Sequence, residues 1–557
     1  MRLRGAIEAT LVVLAATLLT VVATYPVAFH ISQLGRINTD DGRWSIWVVA
    51  WVAHSLSTDP LNVFQANIFY PHRYALAFSE ANIGAGFLGL PVWVATKNPY
   101  LTHNVVFLST FVIAFAGAYY LVRYLTGSRS AAVVAAMLYG FCPFIFARTA
   151  HIQLLFIGML PFSMLAFHRL VDAPSVGRSA VLGVTLWATA LCCAYYGIFA
   201  ALMVSLGTLL YAASRRLWRS SDYWIGIALA AFTSIGLTIP FFLPYLYVQN
   251  EMGFARTLDN AREYSADLAS WASSSAWAHR WWLPAIGSFT DVLFPGILTI
   301  VLAAVGATLL LRRPRAAPAA GANGAPPFPR DTAILYLLVA VIAFWLSFGP
   351  DAGLYRVFYA TIPIFSFLRA PGRAGVMTTL SLVVLAGPAV VYLAGRFRHP
   401  MRVTAGLVAL AACEFAAFPL TQFRTVEPLS PVYTMLATLP PGAVAEFPYW
   451  YQRSDFPRHA YYMLNSTAHW KPLVNGYSDH IPADFRKTVV ALSSFPARDS
   501  FGILARADAR YVVFHLDMYN TRLRERLFER LQLYAPYLRP LAQEGPVWLY
   551  EIVAWPN

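Results

Sequence analysis

Charge is what this chain has least of: Asp, Glu, Lys and Arg make up 12% of its 557 residues, against about a quarter in a soluble globular protein. So few charges cannot cover a water-facing surface, which excludes a soluble fold for most of the chain. Cysteine is scarce as well. The four present, Cys142, Cys192, Cys193 and Cys413, lie in apolar runs, which excludes a disulfide framework or a zinc spacing. The sequence has no P-loop, no GxGxxG and no internal repeat. Base exceeds acid, giving a formal net charge of +14. The arginines nevertheless fall in short clusters between apolar runs rather than on one basic face, so no nucleic-acid partner is expected.

What is abundant is apolar. Hydrophobic residues reach 58%, aromatics 15%, and the mean hydropathy is +0.53. A crossing needs about 20 apolar residues for a core of about 30 Å. Candidate spans lie near 6–30, 101–122, 131–147, 154–171, 179–194, 197–213, 223–246, 292–311, 332–349, 374–394 and 402–420. The fold class is therefore an all-α polytopic membrane protein of about eleven spans over residues 1–424, followed by a small α/β domain over 425–557. In that C-terminal region the hydrophobic runs shorten to strand length at 443–447, 511–515 and 547–553, and a helical pattern covers 521–534.

The arginine clusters orient the chain. Counting 81–96 as re-entrant or interfacial puts Arg2 and Arg4 on one side together with Arg123, Arg129, Arg169, Arg178, Arg215, Arg216, Arg219, Arg312, Arg313, Arg315, Arg330, Arg396, Arg398 and Arg402. The positive-inside rule makes that side cytoplasmic. The N-terminus is then cytoplasmic, the first outer loop runs over 31–100, and the C-terminal domain is extracytoplasmic, as expected of a bacterial inner-membrane protein. Within the first loop, Trp44, Trp47 and Trp51 share a face of a helix over 43–58, which is expected to lie in the interface plane. The Ala/Pro/Gly-rich stretch 314–330 is expected to be disordered.

Candidate chemistry gathers at the outer ends of the spans. Asp40 and Asp41 follow the first span; such a carboxylate can act as a general base, or simply be a solvated acid beside a helix cap. Gly42 is expected to let the backbone turn sharply there. Arg148, His151 and Gln153 crowd a short outer turn, which is costly unless they face a cavity. Arg369 and Arg373 flank Pro371 at a helix start, a phosphate-binding arrangement or a headgroup anchor. Arg256 is a similar candidate in the second outer loop, and Glu80 caps or lines the re-entrant stretch. His459, His469, His480 and His515 lack ligand spacing, and Asn465-Ser466-Thr467 is a chance-level glycosylation tripeptide. No cofactor is required, and no ligand spacing supports a divalent metal.

These parts resemble the GT-C superfamily of polyprenyl-phosphate-dependent glycosyltransferases, whose members include protein O-mannosyltransferases and lipid A aminoarabinose transferases. The resemblance covers the organisation of residues 1–420. Asp41-Gly42 with Trp47 and Trp51, Asn67-Ile68-Phe69-Tyr70-Pro71, and Arg148-x-x-His151-x-Gln153 look like an uncharacterised bacterial branch. Where many relatives have Asp-Glu this chain has Asp40-Asp41, and where many have an acid in the outer turn it has His151. The resemblance implies inverting transfer of a sugar from a polyprenyl-phosphate donor to an extracytoplasmic glycan, lipid or protein. Asp41 or Asp40 would be the base, and Arg and His groups would hold the phosphate. The competing readings are a lipid-linked glycan flippase and a non-catalytic scaffold of GT-C shape.

Overall fold

The computed structural model describes residues 2–253, 256–311 and 328–556. Most of the stretch expected to be disordered, 314–327, lies outside the described residues. The chain forms two compact units. The first takes residues 1–29, 106–241 and 255–421, and the second takes 30–105, 242–254 and 422–557.

Among the described residues, eight helices are long and apolar enough to cross a membrane: Leu3–Ala23, Pro99–Thr126, Arg129–Ala147, Ile152–Asp172, Ala194–Ser214, Ser221–Met252, Arg330–Ser347 and Pro371–Arg396. Each coincides with an expected span, and the protein is a multi-pass membrane protein. The other three expected spans form shorter helices, Val176–Cys192, Ile297–Leu311 and Pro400–Phe415, of 17, 15 and 16 residues. The break expected at 194–197 falls at Cys193, whose extended backbone ends one helix and starts the next. Ile83–Thr96 is a helix of 14 residues. At about 1.5 Å per residue it falls well short of a hydrocarbon core of about 30 Å.

In the first unit, helix Gly375–Arg396 is buried along most of its length. It packs against Arg129–Gly140, Ile297–Leu311, Arg330–Ser347 and Pro400–Phe415. Glycine permits one of these contacts: a Cβ on Gly306 would sit 1.9 Å from the Leu385 carbonyl oxygen. Small residues allow such close backbone approach where no hydrophobic effect drives helices together.

Polar side chains close one end of this bundle. Glu8 meets Arg129 at 2.6 Å and Arg123 at 3.3 Å. Tyr124 donates to Asp172 at 2.6 Å, Asp172 meets Arg215 at 3.2 Å, and Arg215 meets Asp331 at 2.5 Å. The start of the first helix, the ends of Pro99–Thr126, Ile152–Asp172 and Ala194–Ser214, and the start of Arg330–Ser347 thus share one end. These are segments that the arginine pattern groups on one side of the membrane.

The second unit holds a four-stranded sheet. Ala443–Phe447 runs parallel to Ala509–His515, which pairs antiparallel with Val547–Ile552, which in turn pairs antiparallel with Leu538–Glu544. Segment 472–474 lies beside Ala443–Phe447, with Val444 N–H donating to Pro472 O and Val474 N–H to Val444 O. The motif Asn67–Pro71 covers the far side of that segment. Phe69 N–H donates to Asn475 O, Tyr70 N–H to Leu473 O, and Leu473 N–H to Asn67 O, all at 2.8–3.0 Å. Asn67 Nδ2 also donates to Ser466 Oγ at 3.0 Å. The sheet edge is thereby covered by the first loop rather than left open.

Helix Asp40–Thr58 departs from expectation. Residues 44–53 are all buried, including Ile46, Val48, Val49 and Val52 between the tryptophans. A helix apolar on every side belongs inside protein, not flat on an interface. Trp51 meets Trp470 edge-on, and the His54 ring stacks on Trp470 at 4.6 Å.

Candidate functional site

In the second unit, helix Asp40–Thr58 starts at Thr39, whose hydroxyl accepts from Gly42 N–H. Asp40 and Asp41 occupy its first turn, where a helix favours acids. Their side chains diverge. Asp40 pairs with Arg43 at 2.8 Å, three residues on along the same helix. Half-buried Asp41 accepts from the Tyr477 hydroxyl at 3.1 Å. It also lies within charge range of Arg36: burial lowers the Arg36 pKa, and Asp41 opposes that fall. The expected reason for Gly42 is corrected here. It sits inside the first helical turn rather than at a sharp bend, and its lack of a side chain admits the Arg36 backbone. A Cβ there would lie 1.8 Å from the Arg36 carbonyl oxygen. Tyr477 was not foreseen, because nothing local marks a residue that acts 436 positions away.

In the first unit, candidate residues gather at the ends of the helices opposite the Glu8 and Asp331 network. Ile152–Asp172 begins just after His151 and ends at Asp172, while Ala194–Ser214 begins beside Tyr195 and ends near Arg215. At this opposite end Arg369, Arg373 and Arg256 come together. The Tyr195 hydroxyl accepts from the backbone N–H of Arg369 at 2.8 Å and of Ala370 at 3.2 Å. The Arg373 guanidinium lies over the Tyr195 ring at 4.3 Å, and that of Arg369 over the Tyr264 ring at 4.7 Å. The Arg256 carbonyl accepts from the Tyr359 hydroxyl. Burial first, then the charges of Arg369 and Arg373, pull Arg256 down to about 10. Two neighbouring guanidiniums thus disfavour the charge on Arg256, and an anion there would relieve that repulsion.

The outer-turn residues divide. Arg148 is buried. It pairs with Asp291 at 2.5 Å, donates to the carbonyls of Phe144 and Val292, and lies over the Phe144 ring at 3.5 Å. It ties the turn to the loop before Ile297–Leu311, a holding role that the expected phosphate contact did not anticipate. Gln153 is buried with its Oε1 making no hydrogen bond among the described residues. His151 is half-buried, with its N–H donating to Arg148 O. In the second unit, Glu80 is half-buried and its carbonyl accepts from Asn82.

The C-terminal histidines are core groups. His515 Nε2 meets Glu446 at 2.8 Å with both buried, and Tyr433 donates to the same carboxylate oxygen at 2.5 Å. His459 is fully buried against Asn475 and Trp450 O. Asn465 of the glycosylation tripeptide is buried and donates to the Tyr433 hydroxyl. Among the described residues no group of three or more His, Cys, Asp or Glu is placed to hold a metal.

No family model matches the chain, and no curated protein matches it in sequence. Among solved structures it is similar to the cryo-EM structure of arabinofuranosyltransferase AftD from Mycobacteria, with a TM-score of 0.61 and 14% identity. That match covers 98% of this chain and 40% of AftD, so the chain spans well under half the length of that neighbour. Two other similarities score lower. The archaeal oligosaccharyltransferase AglB from Archaeoglobus fulgidus has a TM-score of 0.44 at 13% identity, over 95% of this chain and 72% of that one. ArnT from Cupriavidus metallidurans has 0.40 at 13%, over 99% and 100%. The protein is a polytopic membrane protein with a GT-C-like fold.

Proposed function

We propose that this chain is an integral-membrane glycosyltransferase that moves a sugar from a polyprenyl-phosphate donor to an extracytoplasmic glycan, lipid or protein, with inversion at the anomeric carbon. Asp41 is the base. The acceptor hydroxyl attacks the anomeric carbon opposite the phosphate, its proton passes to Asp41, and the anomeric C–O bond breaks with its electron pair leaving on the polyprenyl phosphate. Arg369, Arg373 and Arg256 hold that phosphate and stabilise the charge that builds on it. His151 and Gln153 serve the same donor, and Arg148 holds the turn that carries them. Tyr477 holds the Asp41 carboxylate in place, and Asp40 is the lesser candidate for the base because Arg43 occupies it.

One observation carries this reading: Arg256, Arg369 and Arg373 gather at one end of the first unit, where the latter two disfavour the charge on Arg256. Fold similarity to an arabinofuranosyltransferase supports it. The test is binding of undecaprenyl phosphate to purified protein. Charge-assisted bonds contribute about 1.5–3 kcal/mol each, so Arg373→Ala is expected to weaken binding by about one to two powers of ten. Unchanged affinity in Arg373→Ala and in Arg369→Ala would reject the cluster as the donor site.

A further inference from the structure

A second feature of the first unit runs along its helices and has its charged residues at the other end. Pro99–Thr126, Met159–Asp172 and Val176–Cys192 enclose an open groove of about 740 Å³, within the size range of small-molecule sites. Its length is lined by apolar side chains, among them Phe162, Val181 and Val184. Two arginines, Arg169 and Arg178, line it as well, with Tyr124 beside them. Val181 and Val184 are exposed, and on helices of this apolarity that exposure faces hydrocarbon.

The charges are unbalanced in favour of an anion. Asp172, three residues after Arg169, is engaged by Arg215 and by the Tyr124 hydroxyl. Arg169 makes no hydrogen bond through its guanidinium among the described residues, and that group lies over the Tyr124 ring at 5.6 Å. Arg178 donates through Nη1 to the carbonyls of Arg169 and Ala173, capping the preceding helix. No carboxylate meets it among the described residues.

We propose that this groove is a binding site for one anionic glycerophospholipid, with an acyl chain along the apolar wall and the phosphate on Arg169 and Arg178. Basic pockets between membrane helices take anionic headgroups in this way, and an unfilled apolar groove would forfeit the packing that a chain restores. The site is separate from the arginines of the proposed donor site. Arg178 lies 14 residues, about 21 Å, before the end of Val176–Cys192, and Tyr195 follows that end, so the two sets of arginines are apart. A lipid held here belongs to the other leaflet and regulates or braces the helix bundle without entering transfer chemistry.

The test is native mass spectrometry of the full chain, released from micelles containing equal phosphatidylglycerol and phosphatidylcholine. The wild type is expected to retain one phosphatidylglycerol, about tenfold in preference to phosphatidylcholine. Arg169→Ala/Arg178→Ala is expected to abolish the preference. Val184→Trp, which fills the groove from an exposed position and leaves the helix cap intact, is expected to reduce retention of both lipids, and it decides the matter if the double variant does not fold. Equal retention of the two lipids by the wild type, an undiminished preference in Arg169→Ala/Arg178→Ala, or undiminished retention of both lipids in Val184→Trp, overturns the proposal. So does displacement of phosphatidylglycerol by an equimolar amount of undecaprenyl phosphate, which would make the groove a polyprenyl site. None of these readouts depends on transferase activity, so their failure leaves the proposed function standing.

Discussion

At the scale of single residues, two adjacent acids on one helix turn have different partners. Asp40 is held by Arg43, and Asp41 takes a hydrogen bond from Tyr477. The sequence alone names both acids and favours the one before Gly42, but not for the operative reason. The glycine admits the Arg36 carbonyl rather than a turn, and a contact between segments distant in sequence leaves no periodic trace. Tyr477 is invisible for the same cause. A positioning role predicts a specific kinetic signature for Tyr477→Phe. It removes one hydrogen bond to a charged group, worth about 1.5–3 kcal/mol at most, so kcat is expected to fall by about tenfold with KM for acceptor unchanged. A rise in KM at constant kcat would make Tyr477 an acceptor contact instead. The arginines were more legible. Arg369 and Arg373 flank a proline at a helix start, and local sequence carries that signal, whereas their meeting with Arg256 depends on the packing of Tyr195 and Tyr264.

At the scale of elements, strands are legible in the sequence where burial is nearly complete. The expected runs 443–447, 511–515 and 547–553 match Ala443–Phe447, Ala509–His515 and Val547–Ile552. Leu538–Glu544 is not legible because it is an edge strand with Arg539, Pro540, Gln543 and Glu544 in it, a composition that carries no strand pattern. The tryptophan spacing in Asp40–Thr58 points to the interface, but the aliphatic residues between the tryptophans point to the interior. Apolar residues on all sides are the signature of a buried helix. The sheet also contains a polar core that spacing could not reveal, since Glu446 and His515 sit on neighbouring strands 69 residues apart. Breaking a buried pair strands a charge or a donor at a cost of about 3–5 kcal/mol. Glu446→Ala is therefore expected to lower the melting temperature of the purified protein markedly. Val490→Ala, at an exposed position, is the matched control. Equal melting temperatures for the two variants would show that the Glu446–Tyr433–His515 network contributes little.

At the scale of the whole molecule, charge asymmetry and hydropathy were sufficient to find the bundle. The groups that close one end of the first unit belong to segments that the arginine pattern assigns to one side. Span length was less legible, because Val176–Cys192, Ile297–Leu311 and Pro400–Phe415 are short in the structure while the apolar runs continue past them. The topology makes a direct prediction. With exposed Cys413 replaced, single cysteines at Leu125 and Ala173 should both be labelled from the cytoplasmic side only. Labelling of both from outside would invert the protein and remove the candidate acids from the extracytoplasmic face.

The central claim is glycosyl transfer with Asp41 as base, and the most direct measurement is turnover of a polyprenyl-phosphate sugar by Asp41→Asn beside Asp40→Asn. A general base contributes typically about 10²–10⁴-fold in rate. The asparagine keeps the shape and can still accept from Tyr477, so folding and donor binding should be preserved. The account predicts a loss of that size for Asp41→Asn and a clearly smaller one for Asp40→Asn. Wild-type turnover in Asp41→Asn would contradict it.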